Sequence, residues 1–581
     1  MKNKIILFIA GIMLFSCNSL DLNPLSEGSS ENWYSNDSEL EMAVLTLFNI
    51  DYWDAELTRV NKNPTTDGYS QQWTDKFTDN WTARTGLSEI DGGTISSQTN
   101  FVTLTWAYAY KCIAAANRIL VNLDKAQVAV SEDKLKIYEA NARFARAAQY
   151  AKLIFLYGDV PYYTTILDID EAFALSKTPK ETILDAIYAD YDFAIQNLPV
   201  SYSSKAYQFA TKGAALALKA RIALYMGDYS IASEAAKACM DLGAYSLYPD
   251  YQELFLSSTK NSVETILGTP RSVELGTVIP GAGRVKEPLP RIVGGFANGG
   301  PSWDLLCSYL CTDGLPIDES PLFNPQQPFK NRDPRCTATI VEFGSPWLGF
   351  IYQPHPDTLK VLNLSTGLKV NNADNRAVGQ YASYNSLVWK KKIDEDWLDI
   401  QTDPDNIVIR YADVLLMYAE AKIELGQIDQ SVLDAMNMVR ARAYKVNYTA
   451  TSSYPAVTTT NQAQLRKILR IERRMEFAFE GTRYHDLIRW RLAEKALNNH
   501  PIYGVLDPAD MRTKLVKKGL WFFPSTPQID DDGLVDFSAM YNAGLIKLLA
   551  ERKFDASKQY LWPIPSTEIE INPNMTQNTG Y

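Results

Sequence analysis

Between Ala210 and Gly243 the chain sets small or aliphatic side chains at three- and four-residue intervals, among them Ala220, Ala223, Ala232, Ala236 and Cys239. That is the helical period, so the stretch is predicted to be helix. The run breaks at Gly227-Asp228, and glycine is the residue that enters a left-handed helix end with least strain. Small side chains on both sides of the break let the two helices approach closely. The same turn recurs at Leu425-Gly426-Gln427-Ile428-Asp429-Gln430-Ser431, with Ala435 and Met438 at matching offsets. Gly158-Asp159 resembles it too, although Pro161 prevents a second helix from starting at once.

These pairs resemble tetratricopeptide repeats, and Gly158 precedes Gly227 by about two units of the roughly 34-residue period. Such pairs cannot bury their apolar faces alone, so they stack into a continuous scaffold. Helical periodicity dominates 38–260 and 405–500, whereas 266–404 changes to Gly, Pro and Asn clusters such as Phe323-Asn-Pro-Gln-Gln-Pro328. The expected fold is therefore all-α, with tetratricopeptide-like helix pairs in a right-handed superhelical scaffold and a loop-rich insertion subdomain. The expected divisions are 1–16 as a leader, 17–37 as a tether, 38–265 as N-terminal helical repeats and 266–404 as the insertion. Residues 405–500 form C-terminal repeats and 501–581 a segment packed on the scaffold. A chain of 581 residues, 46% hydrophobic, suffices for an extensive core.

The first residues are basic (Lys2, Lys4), then apolar from Ile5 to Phe15, then Ser16-Cys17, which is the layout of a secretory signal peptide. The apolar run is well short of the roughly 20 residues that span a bilayer. Leu14-Phe15-Ser16-Cys17 resembles the lipobox of bacterial lipoproteins, with Phe15 in place of the usual small or aliphatic residue. Cys17 is thus the expected lipidation site and Asn18 to Ser30 the start of a tether, held by acyl chains at about 0.8 kcal/mol per buried CH₂. The formal charge is −11, and loss of the leader removes two lysines and no acid. That balance, without a large Lys/Arg-rich stretch, argues against a nucleic-acid partner. Cys112, Cys239, Cys307, Cys311 and Cys336 are an odd set in apolar surroundings and read as mostly buried thiols, although Cys307 and Cys311 could meet.

Several longer segments resemble the SusD-like (RagB/SusD) outer-membrane nutrient-binding lipoproteins. They are Ala142–Ala148 leading to Leu156-Tyr-Gly-Asp-Val-Pro161, Ala210–Arg221, Asp333-Pro-Arg335, Arg410–Ala421 and Val439-Arg-Ala-Arg442. Stronger still are Ile471-Glu-Arg-Arg-Met-Glu-Phe-Ala-Phe-Glu-Gly481 with Arg483–Trp490, and Tyr560–Glu568 with Asn572-Pro-Asn574 and Gln577-Asn578. The resemblance implies four tetratricopeptide-like units with a variable loop-rich part. It implies outer-membrane attachment, facing outward, as the lid of a SusC-like, TonB-dependent transporter, and a nutrient ligand that is usually a glycan. The charged residues of these motifs, Arg410, Asp413, Glu472, Arg473, Glu480 and Arg483, read as helix-packing ion pairs, so they identify the scaffold and not the ligand.

For the ligand, Tyr69, Trp73, Phe77 and Trp81 recur every four residues among polar neighbours and would form one aromatic stripe on a helix. Such a stripe faces a core or offers a platform for pyranose rings, with Asp67 and Arg84 nearby to meet hydroxyls. Trp303 after Gly299-Gly300-Pro301, Trp347 in Gly344–Phe350, and Tyr352 form a second set, because aromatics beside Gly and Pro tend to be exposed. Trp389, Trp397 and Trp521 are weaker candidates.

The three histidines, His355, His485 and His500, occur in no zinc or nucleophile motif, and no phosphate loop is present. The acid runs Asp394-Glu395-Asp396 and Asp530-Asp531-Asp532 read as solvated loops, with bound calcium as the alternative. No catalytic residue, metal or cofactor is expected. A nutrient-binding lid is the favoured reading, against a protein-binding repeat scaffold without sugar binding and a glycan-degrading enzyme.

Overall fold

The computed structural model describes residues 33–53, 71–84, 86–202, 209–277, 286–393 and 402–581. Its principal helices are α1 (Asp37–Thr46), α2 (Asn100–Asn122), α3 (Glu132–Tyr157), α4 (Lys180–Asn197), α5 (Lys212–Met226), α6 (Tyr229–Asp241), α7 (Tyr411–Glu424), α8 (Gln430–Ala443) and α9 (Gln462–Glu476). Each packs on its neighbour in turn: α2 on α3, α3 on α4, α4 on α5, α5 on α6, α6 on α7, and α7 on α8 and α9. The scaffold is therefore the expected stack of tetratricopeptide-like pairs, even though α6 and α7 lie on opposite sides of the insertion in sequence.

The predicted caps sit where they were read. Gly227 ends α5 in the left-handed region (φ +88°, ψ 8°), and its amide donates to Ala223 O. Gly426 (φ +69°) follows the end of α7, and Gly158 (φ +76°) ends α3. Buried alanines line the seams, with Ala214, Ala217, Ala220, Ala223, Ala232 and Ala236 all inaccessible to solvent. The predicted helical region overruns the structure, because after Asp241 come Gly243 (φ +62°) and Pro249, and 242–260 forms turns and short 3₁₀ pieces.

Two large cores divide the described residues. The first holds the helical pairs and closes over the C-terminal Trp562 and Ile564. The second gathers Trp303, Tyr309, Phe329 and Trp389 of the insertion with Phe479, Phe522, Phe523 and Phe537, so residues after 501 contribute to both. The insertion is closed at its base by an antiparallel pair, β2 (Thr265–Thr269) with β4 (Asn406–Arg410). A second pair, β1 (Trp81–Ala83) with β3 (Gly299–Pro301), ties it to the N-terminal region.

A buried ionic layer joins the halves. Arg410 donates to Glu264 at 2.6 Å, Glu476 at 2.7 Å and Glu480 at 2.7 Å, while Arg335 reaches Asp333, Glu472 and Glu476. Arg442 contacts Glu264 and Glu476, and Lys391 contacts Glu480. Beside them Arg473 bridges Asp413 and Asp486, and Arg221 also holds Asp413. Burial would raise the Asp413 carboxyl, but Arg473 and Arg221 outweigh it and hold it at about 2. The motif charges thus act as internal pairs between helices. Buried charge persists only when partnered, which is why these acids and bases occur together.

All five cysteines after Cys17 are buried free thiols, so Cys307 and Cys311 form no disulfide. Cys17 itself lies outside the described residues. No described helix is long and apolar enough to cross a membrane.

Candidate functional site

The segment leading to β1 is clamped from below by the Ile471–Arg483 motif. Asp79 accepts from Arg483 Nε at 2.9 Å and Nη2 at 2.8 Å, and Arg474 lies 2.9 Å from the same carboxylate. Asp75 accepts from the Gly481 amide, and Thr74 donates to Gly481 O. Burial alone would raise Asp79, yet Arg474 and Arg483 hold its carboxyl far below the usual range. The same polar residues explain why the aromatic stripe is not an α-helix. Thr78 donates to Asp75 O and Asn80 to the Asp75 side chain, local bonds that compete with the helical ladder. The backbone makes a 3₁₀ helix from Gln71 to Phe77, turns, and enters β1 at Trp81.

That change of geometry takes Phe77 and Trp81 out of the sequence-predicted platform. Trp81 is 4% exposed and packs edge-on against Trp389 and Phe479, each at 5.9 Å. On β3 the residue opposite Ala83 must be glycine, because a Cβ on Gly299 would fall 2.2 Å from the Trp81 ring, which lies over it. Phe77 is buried too. Asp67 and Tyr69 lie outside the described residues, and of Trp73 only the backbone is described, within the 3₁₀ helix.

The second predicted set is corrected in part. Trp303 is 2% exposed, donates to Asn385 O at 2.9 Å and is enclosed by Phe522, Phe523 and Phe537. Tyr352 is 3% exposed, with its hydroxyl donating to Ser386 O at 2.8 Å. Gly299–Pro301 runs as strand β3 into the core, and with both rings buried neither can meet a ligand in this conformation. Trp347 is half-buried, under Lys390. Trp389 is fully buried, Trp521 half-buried against His355, and Trp397 outside the described residues.

Arg84, immediately after β1, does reach the surface and there meets four insertion residues that no pattern singled out. Its Nη1 donates to Tyr381 O at 2.8 Å, and its guanidinium lies 4.9 Å from the Tyr381 ring centre. Arg291 approaches the same ring at 5.9 Å, and Arg376 stacks on Tyr384 at 4.0 Å. Tyr381 is 50% exposed. Buried Asp374 supports the floor, accepting from the Arg291 and Ile292 amides at 2.6 and 3.2 Å, and burial lifts its carboxyl to about 6. The one sequence signal here is Gly379-Gln-Tyr381, another aromatic beside glycine. The arrangement offers an aromatic face with guanidinium donors at its rim, suited to a polar ring with an apolar side.

The remaining acids and histidines have structural surroundings. Asp530 and Asp532 pair with Lys495, Asp531 with Lys467 and Asp532 also with Arg470, so three bases offset the run. Asp394 to Asp396 lie outside the described residues. His485 is half-buried, and desolvation suppresses its protonation to about 4. Among the described residues no group of three or more His, Cys, Asp or Glu side chains is placed to hold a metal.

Residues 279–581 match the SusD family, and residues 35–224 match a family described as starch-binding associating with outer membrane. The chain is 24% identical to SusD-like protein P2 of Formosa agariphila over the full length of both. It superposes on a SusD-like carbohydrate-binding protein from Bacteroides fragilis with TM-score 0.75 and 29% identity, covering 94% of this chain and 99% of that one. Surface glycan-binding protein A of Bacteroides fluxus shares the fold at 18% identity and TM-score 0.62, over 94% of this chain and all of that one. The family description matched by residues 35–224 places this class of helical, loop-inserted proteins at the outer membrane. Within that class, the chain belongs to the SusD family.

Proposed function

We propose that this protein is a cell-surface glycan-binding lipoprotein, anchored through Cys17 and facing outward, which captures substrate and serves as the lid of a SusC-like TonB-dependent transporter. It holds its ligand and does not cleave it. The observation that carries the binding reading is the exposed Tyr381 ring bracketed by Arg84 and Arg291, where the insertion meets the scaffold. The relative at 29% identity, a carbohydrate-binding protein, supports the ligand class. The nearby Asp374 is buried and engaged by two backbone amides, an environment unlike that of a glycosidase acid/base pair flanking a scissile bond.

The test is calorimetry of the protein lacking residues 1–16 against a polysaccharide panel, with product analysis after incubation and with Tyr381→Ala in parallel. The expected result is binding, no released oligosaccharide, and at least tenfold weaker binding in the variant. Released oligosaccharide would mean an enzyme. No glycan binding together with co-purification of a barrel would mean a protein-only scaffold.

A further inference from the structure

The rim of the Tyr381 surface carries more positive charge than holding a neutral sugar requires. Arg84, Arg291 and Arg376 come from three separate segments and converge on two tyrosine rings. Among the described residues, their anionic neighbours compensate them poorly. Arg84 and Arg291 direct guanidinium hydrogens to carbonyls, Tyr381 O and Gly295 O, and Arg376 does the same to Gln380 O. Asp374 meets Arg291 through its backbone amide, and Asp507 stands 3.9 Å from Arg376 while also pairing with Lys547 at 3.1 Å. The Arg84 guanidinium is depressed below its ordinary value, first by burial and then, against two tyrosines, by the positive charges of Arg291 and Arg376. Like charges have been gathered at the surface of a chain whose net charge is −11.

We propose that this surface selects an anionic glycan, one bearing uronate carboxylates or sulfate esters. This rests on the glycan-capture reading and narrows it. A planar guanidinium stacked on an aromatic ring keeps its in-plane edges accessible, and the N–H groups beyond the one given to a carbonyl can meet a carboxylate or sulfate more strongly than a neutral hydroxyl. Tyr381 supplies the sugar contact and the arginines supply the choice. The anion relieves the repulsion among the three cations, so binding and charge neutralisation reinforce each other.

The test is calorimetry of the same protein against polygalacturonate, a sulfated galactan, and two neutral polymers, starch and a β-glucan, at low and high salt. Arg84→Gln, Arg376→Gln and Arg376→Lys are measured alongside, with thermal midpoints to confirm folding. The expected result is at least tenfold preference for one anionic polymer, which identifies the anion, weakening with salt. Each Arg→Gln change should reduce that affinity tenfold or more, and Arg376→Lys at least threefold despite keeping its charge. Binding to neutral polymers with equal affinity in all variants would overturn the anionic assignment and leave glycan capture intact. Binding to none of the four would overturn both. Anionic binding unchanged in the three variants would also overturn the assignment, because bulk charge elsewhere would then be responsible.

Discussion

Removing the Asp79 carboxylate should be among the most damaging single changes outside the hydrophobic cores. Asp79→Ala deletes two charge-assisted hydrogen bonds from Arg483 and the ion-pair contact of Arg474, and leaves both guanidiniums buried without that carboxylate. Charge-assisted bonds contribute roughly 1.5–3 kcal/mol each, which sets an upper bound. Losing one partner of a buried ion pair typically destabilises by about 3–5 kcal/mol after water and side chains relax. We therefore expect about 4 kcal/mol, close to a thousandfold in the folding equilibrium. Urea unfolding followed by tryptophan fluorescence measures it directly, since Trp81 lies two residues beyond the clamp. Because the carboxyl is depressed when folded, its stabilisation is present above the unfolded value near 4 and is lost as pH falls toward the folded value, so the gap between wild type and variant should narrow in acid. A loss below about 1 kcal/mol at pH 7 would refute the clamp.

Three further outcomes follow from the geometry. Gly299→Ala forces a methyl into the Trp81 ring and should destabilise by about 1–3 kcal/mol while shifting tryptophan emission, which equilibrium unfolding with fluorescence will show. Gly227→Ala meets no atom within 4 Å but keeps a left-handed φ of +88°, so it should lose only about 1–2 kcal/mol and leave glycan binding untouched, as melting curves and calorimetry can check. Asp374, raised to about 6, favours the protonated folded state between its unfolded value near 4 and that pH. Relative to Asp374→Asn, the wild type should gain stability, up to about 2–3 kcal/mol, as pH falls from 7 to 4, and unfolding at stepped pH measures it.

The scaffold was legible because its signals are local. Gly227 and Gly426 announce helix ends by residue type, and the alanines around them reveal close helix packing at the helical period. The motif charges were legible as a set, because acids and bases that must be buried together are written together in Arg410–Ala421 and Ile471–Arg483. The surface was harder to read. Tyr69, Trp73, Phe77 and Trp81 have helical spacing, yet Asp75, Thr78 and Asn80 bond locally and turn the chain into β1, which buries Trp81. Whether Trp303 is exposed is decided by Phe522, Phe523 and Phe537, more than two hundred residues away, and no local pattern reports that. The Arg84 cluster is built from loops without periodicity, so its four partners emerge only when the insertion folds back on β1.

Where a glycan rests on this chain can be read by hydrogen exchange of the mature protein, with and without a saturating oligosaccharide that calorimetry has identified. Slowed exchange confined to residues around Arg84, Arg291–Phe296 and Arg376–Tyr384 is the pattern this account requires. Protection centred on Trp347 and Trp521, with those three segments unchanged, would contradict it.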